Sequence, residues 1–335
     1  MSFINWGNES PEQLAIRRQI EQQALFEQAA RVRAMRAGNS PGVAGGSIQQ
    51  EGLPTNAIEF VLNTAEDLDF EMYLEVTENT SCIIDWGDGT VEEHEYFSGV
   101  GNTTSHLYAE VGEYTVRVTY ADPTLIREMS FEGEDENYST LLSITGLTNL
   151  TNLEEFRADW NQLESIDLSG LTSLTYVDVS DNGQYGSPGL STLNLSGCTA
   201  LETLYADDND FSGGFPDLTS LTNLNYIDFD GCGITGTVNI SSLSSLTHFD
   251  FSDNTELTGI IISSSQPLGE SGEILADNCA LTQTAVDNIL VALAANAINN
   301  GYIDLRYGTN AAPSATGLAA ITTLEGKGWG VDVNS

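Results

Sequence analysis

Positive charge is scarce in this chain: 10 lysines and arginines face 49 aspartates and glutamates, a formal net charge of -39. Such a field repels phosphate backbones and anionic headgroups, which argues against nucleic acid and membrane surfaces as partners. It favours cationic surfaces and divalent ions. Histidine is scarcer still. His94, His106 and His248 are the whole set, no two have metal-ligand spacing, and neither a Gly-x-Ser-x-Gly elbow nor a P-loop occurs. Without these constellations the expectation is a protein that is not an enzyme and has no cofactor, with Ca2+ among the divalent ions its carboxylates would suit. The cysteines Cys82, Cys198, Cys232 and Cys279 form no CxxC pair and are too sparse for a disulfide scaffold, so they read as buried thiols. No apolar run approaches the ~18 residues of a membrane span, so no membrane insertion is expected. Met1 to Ser10 lacks the basic cluster and apolar stretch of an export signal.

What charge there is lies unevenly. Arg17, Arg18, Arg31, Arg33 and Arg36 are half of the basic residues, so residues 1–36 are near neutral and the remainder carries about -40. Ser10 can cap a helix, Pro11 suits its first position, and Glu12 suits the positive end of its dipole. The spacing of Leu14, Ile20, Leu25, Phe26 and Met35 continues it, predicting a helical arm over residues 1–37. An isolated helix has no core of its own and must dock on something else. Trp6, Leu14, Arg17, Arg18, Leu25, Phe26, Arg31 and Arg33 are the candidate anchoring residues. The Gly- and Ser-rich stretch over 38–55 reads as a flexible linker.

Residues 56–125 change character. Ala57–Leu62, Phe70–Val76, Ser81–Trp86 and Glu113–Tyr120 alternate apolar and polar residues as strands do. Asp85-Trp86-Gly87-Asp88-Gly89-Thr90, then His106-Leu107-Tyr108, then Val111-Gly112-Glu113-Tyr114-Thr115-Val116 resembles the PKD domain. The resemblance implies an immunoglobulin-like β-sandwich serving as a spacer or adhesion module, with Trp86 in its core.

From Leu141 a repeat begins. Phe156, Val177, Leu204, Ile227, Phe249 and Ile274 are each followed five residues later by Asn161, Asn182, Asn209, Cys232, Asn254 and Cys279, at steps of 21, 27, 23, 22 and 25 residues. Leu153, Leu174, Leu201, Leu224 and Leu246 precede the first five cores by three positions. The frame L-x-x-L-x-Φ-x-x-N/C-x-L resembles the leucine-rich-repeat family. Each coil then supplies one short strand to a parallel stack with ~4.8 Å between strands, and the Asn serves backbone groups in the turn. Cys232 and Cys279 fall two coils apart, roughly 9–10 Å, beyond the ~7 Å reach of a disulfide. Residues 282–335 alternate helix and strand. The run Gly308-Thr309-Asn310-Ala311-Ala312-Pro313, a helix, then Lys327-Gly328-Trp329 resembles the terminal cap of leucine-rich-repeat proteins of bacteriophages and some bacteria. The opening Trp6-Gly7-Asn8-Glu9-Ser10-Pro11 also resembles the start of phage structural proteins.

The expected architecture is therefore multidomain. It has an N-terminal helical arm (1–37), a linker (38–55), a PKD-like β-sandwich (56–125), an α/β leucine-rich-repeat solenoid (138–281) and a C-terminal αβ cap (282–335). Outward strand positions on the concave face place tyrosines beside carboxylates: Tyr176, Asp178, Tyr205, Asp207, Tyr226, Asp228, Asp230, His248 and Asp250. Aromatic faces with charged acceptors suit sugars or cationic surfaces, and aspartate rows equally suit Ca2+. The resemblances imply a virion structural protein on the particle exterior. It would be held to other virion proteins by its arm, displayed for host-surface glycan or protein adhesion or capsid decoration, and homo-oligomeric. A bacterial surface adhesin is the alternative.

Overall fold

The computed structural model describes residues 53–64, 69–131, 140–183, 187–269 and 273–335. The expected helical arm and most of the linker lie outside them, and so do Trp6, Leu14, Arg17, Arg18, Leu25, Phe26, Arg31 and Arg33.

Eight strands come first: β1 (Ala57–Asn63), β2 (Asp69–Val76), β3 (Thr80–Asp85), β4 (Val91–Tyr96), β5 (Asn102–Leu107), β6 (Glu113–Tyr120), β7 (Ile126–Ser130) and β8 (Thr140–Thr145). One antiparallel sheet runs β4-β3-β6-β1-β8, and the facing layer is β7-β2-β5. The period-two patterns drive this. Ile58, Phe60 and Leu62 of β1 and Phe70, Met72 and Leu74 of β2 point into the shared core. Phe60 meets Phe70 at 5.4 Å between ring centroids, and Phe70 meets Trp86 at 6.2 Å. Trp86 stacks on His106 at 4.6 Å, and His106 Nε2 sits 3.0 Å from Asp88 Oδ2. The Tyr108 hydroxyl donates to the Trp86 carbonyl at 3.0 Å. Gly87 has φ +82°, and a β-carbon there would lie 2.5 Å from the Thr115 carbonyl oxygen, so only glycine fits that turn.

The later strands are β9 (Glu155–Arg157), β10 (Ser165–Asp167), β11 (Tyr176–Asp178), β12 (Thr192–Asn194), β13 (Thr203–Tyr205), β14 (Tyr226–Asp228), β15 (Thr235–Asn239), β16 (His248–Asp250), β17 (Glu256–Ile261), β18 (Glu273–Leu275), β19 (Tyr302–Leu305) and β20 (Gly330–Val333). Two helices, α1 (Gln283–Ala295) and α2 (Ala315–Gly326), separate the last three. Strands β9, β11, β13, β14, β16, β18, β19 and β20 form a parallel sheet in strict register. The core residues Phe156, Val177, Leu204, Ile227, Phe249, Ile274 and Ile303 therefore fall in one buried row.

This corrects the expected fold class. The described residues are mostly β-sheet, with two α-helices among them, both after Thr282. No α-helix among the described residues lies in the stack itself, so it is not an α/β solenoid. Its return segments instead place a buried residue every third position: Leu168, Leu171 and Leu174; Leu195, Cys198 and Leu201; Leu218, Leu221 and Leu224; Ile240, Leu243 and Leu246. The amides of the second and third residues in each trio donate to the carbonyl three residues back, as from Leu221 to Leu218 at 3.0 Å and from Leu224 to Leu221 at 3.1 Å. Consecutive tight turns with a three-residue period eclipse these side chains toward the core, which a helix of 3.6 residues per turn cannot do. In residues 282–335 helix and strand alternate as α1, β19, α2 and β20. β19 and β20 continue the same parallel sheet, which ends at β20.

The two regions share one sheet. β7 pairs antiparallel with β2 on one side and parallel with β9 on the other, Met129 opposite Phe156. Phe131 bridges the cores: its ring lies 5.3 Å from that of Phe60 and 6.5 Å from that of Phe156, and its amide donates to the Arg157 carbonyl at 2.9 Å. Phe131→Ala is expected to cost about 3–5 kcal/mol. Denaturant unfolding of the variant should stay a single transition at a lower midpoint. Two resolved transitions would show that the halves are independent.

Candidate functional site

The outward side chains of the parallel sheet form three parallel rows, because in-register strands place equivalent residues about 4.8 Å apart. The first row is Glu155, Tyr176, Thr203, Tyr226, His248; the second is Arg157, Asp178, Tyr205, Asp228, Asp250. The third, next along each strand but one, is Asp159, Ser180, Asp207, Asp230, Ser252 and Asp277. All nine sequence-predicted face residues thus lie on one surface, each partly buried.

Four of their rings form a continuous run. Centroids are 5.9 Å apart for Tyr176 and Tyr205, 4.8 Å for Tyr205 and Tyr226, and 5.5 Å for Tyr226 and His248. At one end the Arg157 guanidinium lies 4.2 Å above the Tyr176 ring and donates to its hydroxyl at 3.1 Å. The tyrosines also tether the carboxylates. Tyr176 donates to Asp178, and Tyr226 to Asp228, each at 3.3 Å. Asp178 accepts from the Ser180 hydroxyl at 2.7 Å, and Asp250 from the Ser252 amide at 2.8 Å. His248 Nδ1 is 2.9 Å from the Thr247 hydroxyl.

The carboxylates crowd one another. Burial, then the charge of Asp228, pushes Asp207 up to about 7. Burial, then Asp250, pushes Asp230 up to about 7, and burial raises Asp228 to about 6. Asp250 is raised as well, again chiefly by burial. Asp230 Oδ1 is buried with no hydrogen-bond partner. Burial raises the Tyr176 phenol to about 12, so this tyrosine stays a neutral donor. Oxygens of Asp181, Asp207 and Asp208 converge to within 4.8 Å of one another, an all-oxygen donor set of the kind hard divalent cations take.

Along the edge of this face runs a feature that the repeat frame does not include. Trp160, Asp181, Asp208, Asp253 and Asn278 all adopt φ between +50° and +57°, one per coil, and Gly231 takes the same place at +64°. Each amide reaches the next coil, as Asp208 does to the Asp230 carbonyl at 2.9 Å. Aspartate and asparagine tolerate this left-handed backbone better than other side chains. The signal is present in the sequence: an Asp, Asn or Gly stands just before five of the six Asn or Cys anchors.

Those anchors are not exposed sites. Asn161, Asn182, Asn209 and Asn254 are buried and spend their amides on backbone groups. Cys232 and Cys279 donate to carbonyls at 3.0 and 3.1 Å. Burial raises all four thiols above the usual range, so they stay protonated.

No protein-family model matches the chain, and no curated protein matches it. No helix among the described residues is long and apolar enough to cross a membrane.

Proposed function

We propose that this chain is a non-enzymatic structural binding protein of a bacteriophage particle. Residues 1–37 attach it to other virion proteins. The outward face of the parallel sheet meets a host-surface glycan or protein, or a neighbouring subunit. The observation that carries the binding part is the four-ring run from Tyr176 to His248, flanked on the same face by Asp178, Asp207, Asp228, Asp230 and Asp250. Such rings are large, rigid and half wet, and they offer contact area at small entropic cost. The virion part is supported by the likeness of the opening residues to phage structural proteins, and of Gly308–Pro313 with Lys327–Trp329 to the terminal caps of leucine-rich-repeat proteins of bacteriophages and some bacteria.

Two measurements test the two parts. Particles assembled with a chain lacking residues 1–37 are expected to lack this protein by mass spectrometry. Its full incorporation would remove the anchoring role. Alanine at Tyr176, Tyr205 and Tyr226 together is expected to weaken adsorption to host cells, or binding on a glycan array, at least about tenfold. Unchanged binding by a variant with an unchanged melting temperature would remove the face as the site.

A further inference from the structure

We propose that this face is built for a partner segment that presents arginine side chains, each guanidinium lying on a tyrosine ring between aspartates. The inference rests on the reading that the face is the ligand surface, and it names the chemical class of the ligand.

Three observations carry it. First, the chain already places one guanidinium on the ladder. Arg157 lies over Tyr176 at 4.2 Å, with its Nη1 on the phenol oxygen at 3.1 Å and its Nη2 3.4 Å from Glu155. A planar cation that lies over a ring while its several N–H donors reach neighbouring oxygens is what arginine offers and lysine does not. Second, the arrangement repeats without its cation. Tyr205 lies between Asp178 and Asp228 on the neighbouring strands, and Tyr226 holds Asp228, but no Lys or Arg stands at any outward position from Tyr176 to Asp277. Third, the chain has no spare cation among its described residues. Arg117 pairs with Glu59, Arg127 with Glu75 and Glu154, Arg157 with Glu155, and Arg306 with Asp304 and Asp332. Lys327 donates to the Ala294 and Asn296 carbonyls at the end of α1. The two arginines of this face, Arg157 and Arg306, bracket an acidic stretch that holds no cation of its own. A cationic partner relieves the repulsion within it, whereas a neutral glycan leaves the carboxylates facing one another.

The test uses the full chain and two short synthetic peptides, one alternating arginine with glycine and one alternating lysine with glycine, with binding read by fluorescence anisotropy at physiological salt. The arginine peptide is expected to bind at least about tenfold more tightly than the lysine peptide. Tyr205→Leu with Tyr226→Leu should abolish that difference. Tyr205→Phe with Tyr226→Phe should keep it, and a matched melting temperature shows that the fold is intact. Equal affinity for both peptides, unchanged by the leucine pair, would mean bulk attraction to an acidic chain and overturns the proposal. Tyrosine-dependent binding of a neutral glycan without binding of either peptide overturns it too, but leaves the face standing as a site. Tighter arginine-peptide binding after Arg17, Arg18, Arg31, Arg33 and Arg36 are changed to Gln would assign the face to the chain's own segment and overturn an external partner.

Discussion

Asn182→Ala is expected to destabilise the fold by about 4 kcal/mol, because unsatisfied buried polar groups cost ~1–3 kcal/mol each. Asn182 is completely buried. Its amide nitrogen donates to the carbonyls of Ala158, Val179 and Ser180 at 3.1, 2.9 and 3.1 Å, and its carbonyl accepts from the Leu163 amide at 3.0 Å. One side chain thus closes its own turn and fastens the coil before it. Alanine removes every one of these bonds and leaves a space lined by carbonyls. Asn182→Cys should cost about half as much. Cys232 shows why: its thiol still donates to the Ala206 carbonyl at 3.0 Å, and the amide of Phe211 turns to the Cys232 backbone carbonyl at 2.8 Å. Denaturant unfolding decides it. A loss under about 1 kcal/mol for the alanine variant would show that water replaces the side chain.

The protein should also be more stable in mild acid than above neutrality, the reverse of the usual aspartate behaviour. Asp207 and Asp230 are raised to about 7 and Asp228 to about 6, each first by burial. The folded chain therefore holds protons that the unfolded chain, with ordinary aspartates near 3.9, has released. Stability then falls as pH rises from about 4 and has fully fallen once pH passes the folded values near 7. A tenfold change in one group's proton affinity is worth ~1.4 kcal/mol at most, and solvent screening on a partly exposed face reduces the sum to on the order of 3 kcal/mol between about pH 5 and pH 8. Melting temperature measured across this range should drop steadily toward the alkaline end. Asp207→Asn with Asp230→Asn should flatten the profile and raise the melting temperature there. A profile that rises with pH would rule out charge crowding on this face.

Much of the fold is legible in the residues, and the departures have identifiable causes. The alternation in Ile58–Leu62 and Phe70–Val76 marks strands because one face of each is buried and the other is not. Val91–Tyr96 and Asn102–Leu107 are strands that their own residues do not announce. They are sheet edges, mostly wet on both faces, so no alternation is written into them. The core-to-anchor interval is short and local, so it places Phe156 and Asn161 correctly in their coil. Family likeness implies helices for the return segments. Their own three-residue leucine spacing, as in Leu168, Leu171 and Leu174, points instead to successive tight turns.

Local chemistry sets the unit: which residue of each coil is buried and which faces out. Those properties follow from steric and hydration preferences within a few neighbours. Tertiary structure alone decided what the units make together. Whether β7 would join β2 to β9, and whether β19 and β20 would close the stack or extend it, depends on pairings between residues far apart in the chain. The carboxylates' shared burden is decided the same way. Asp207 and Asp228 are ordinary aspartates in the sequence, and only in-register stacking holds their charges together in a half-dry face.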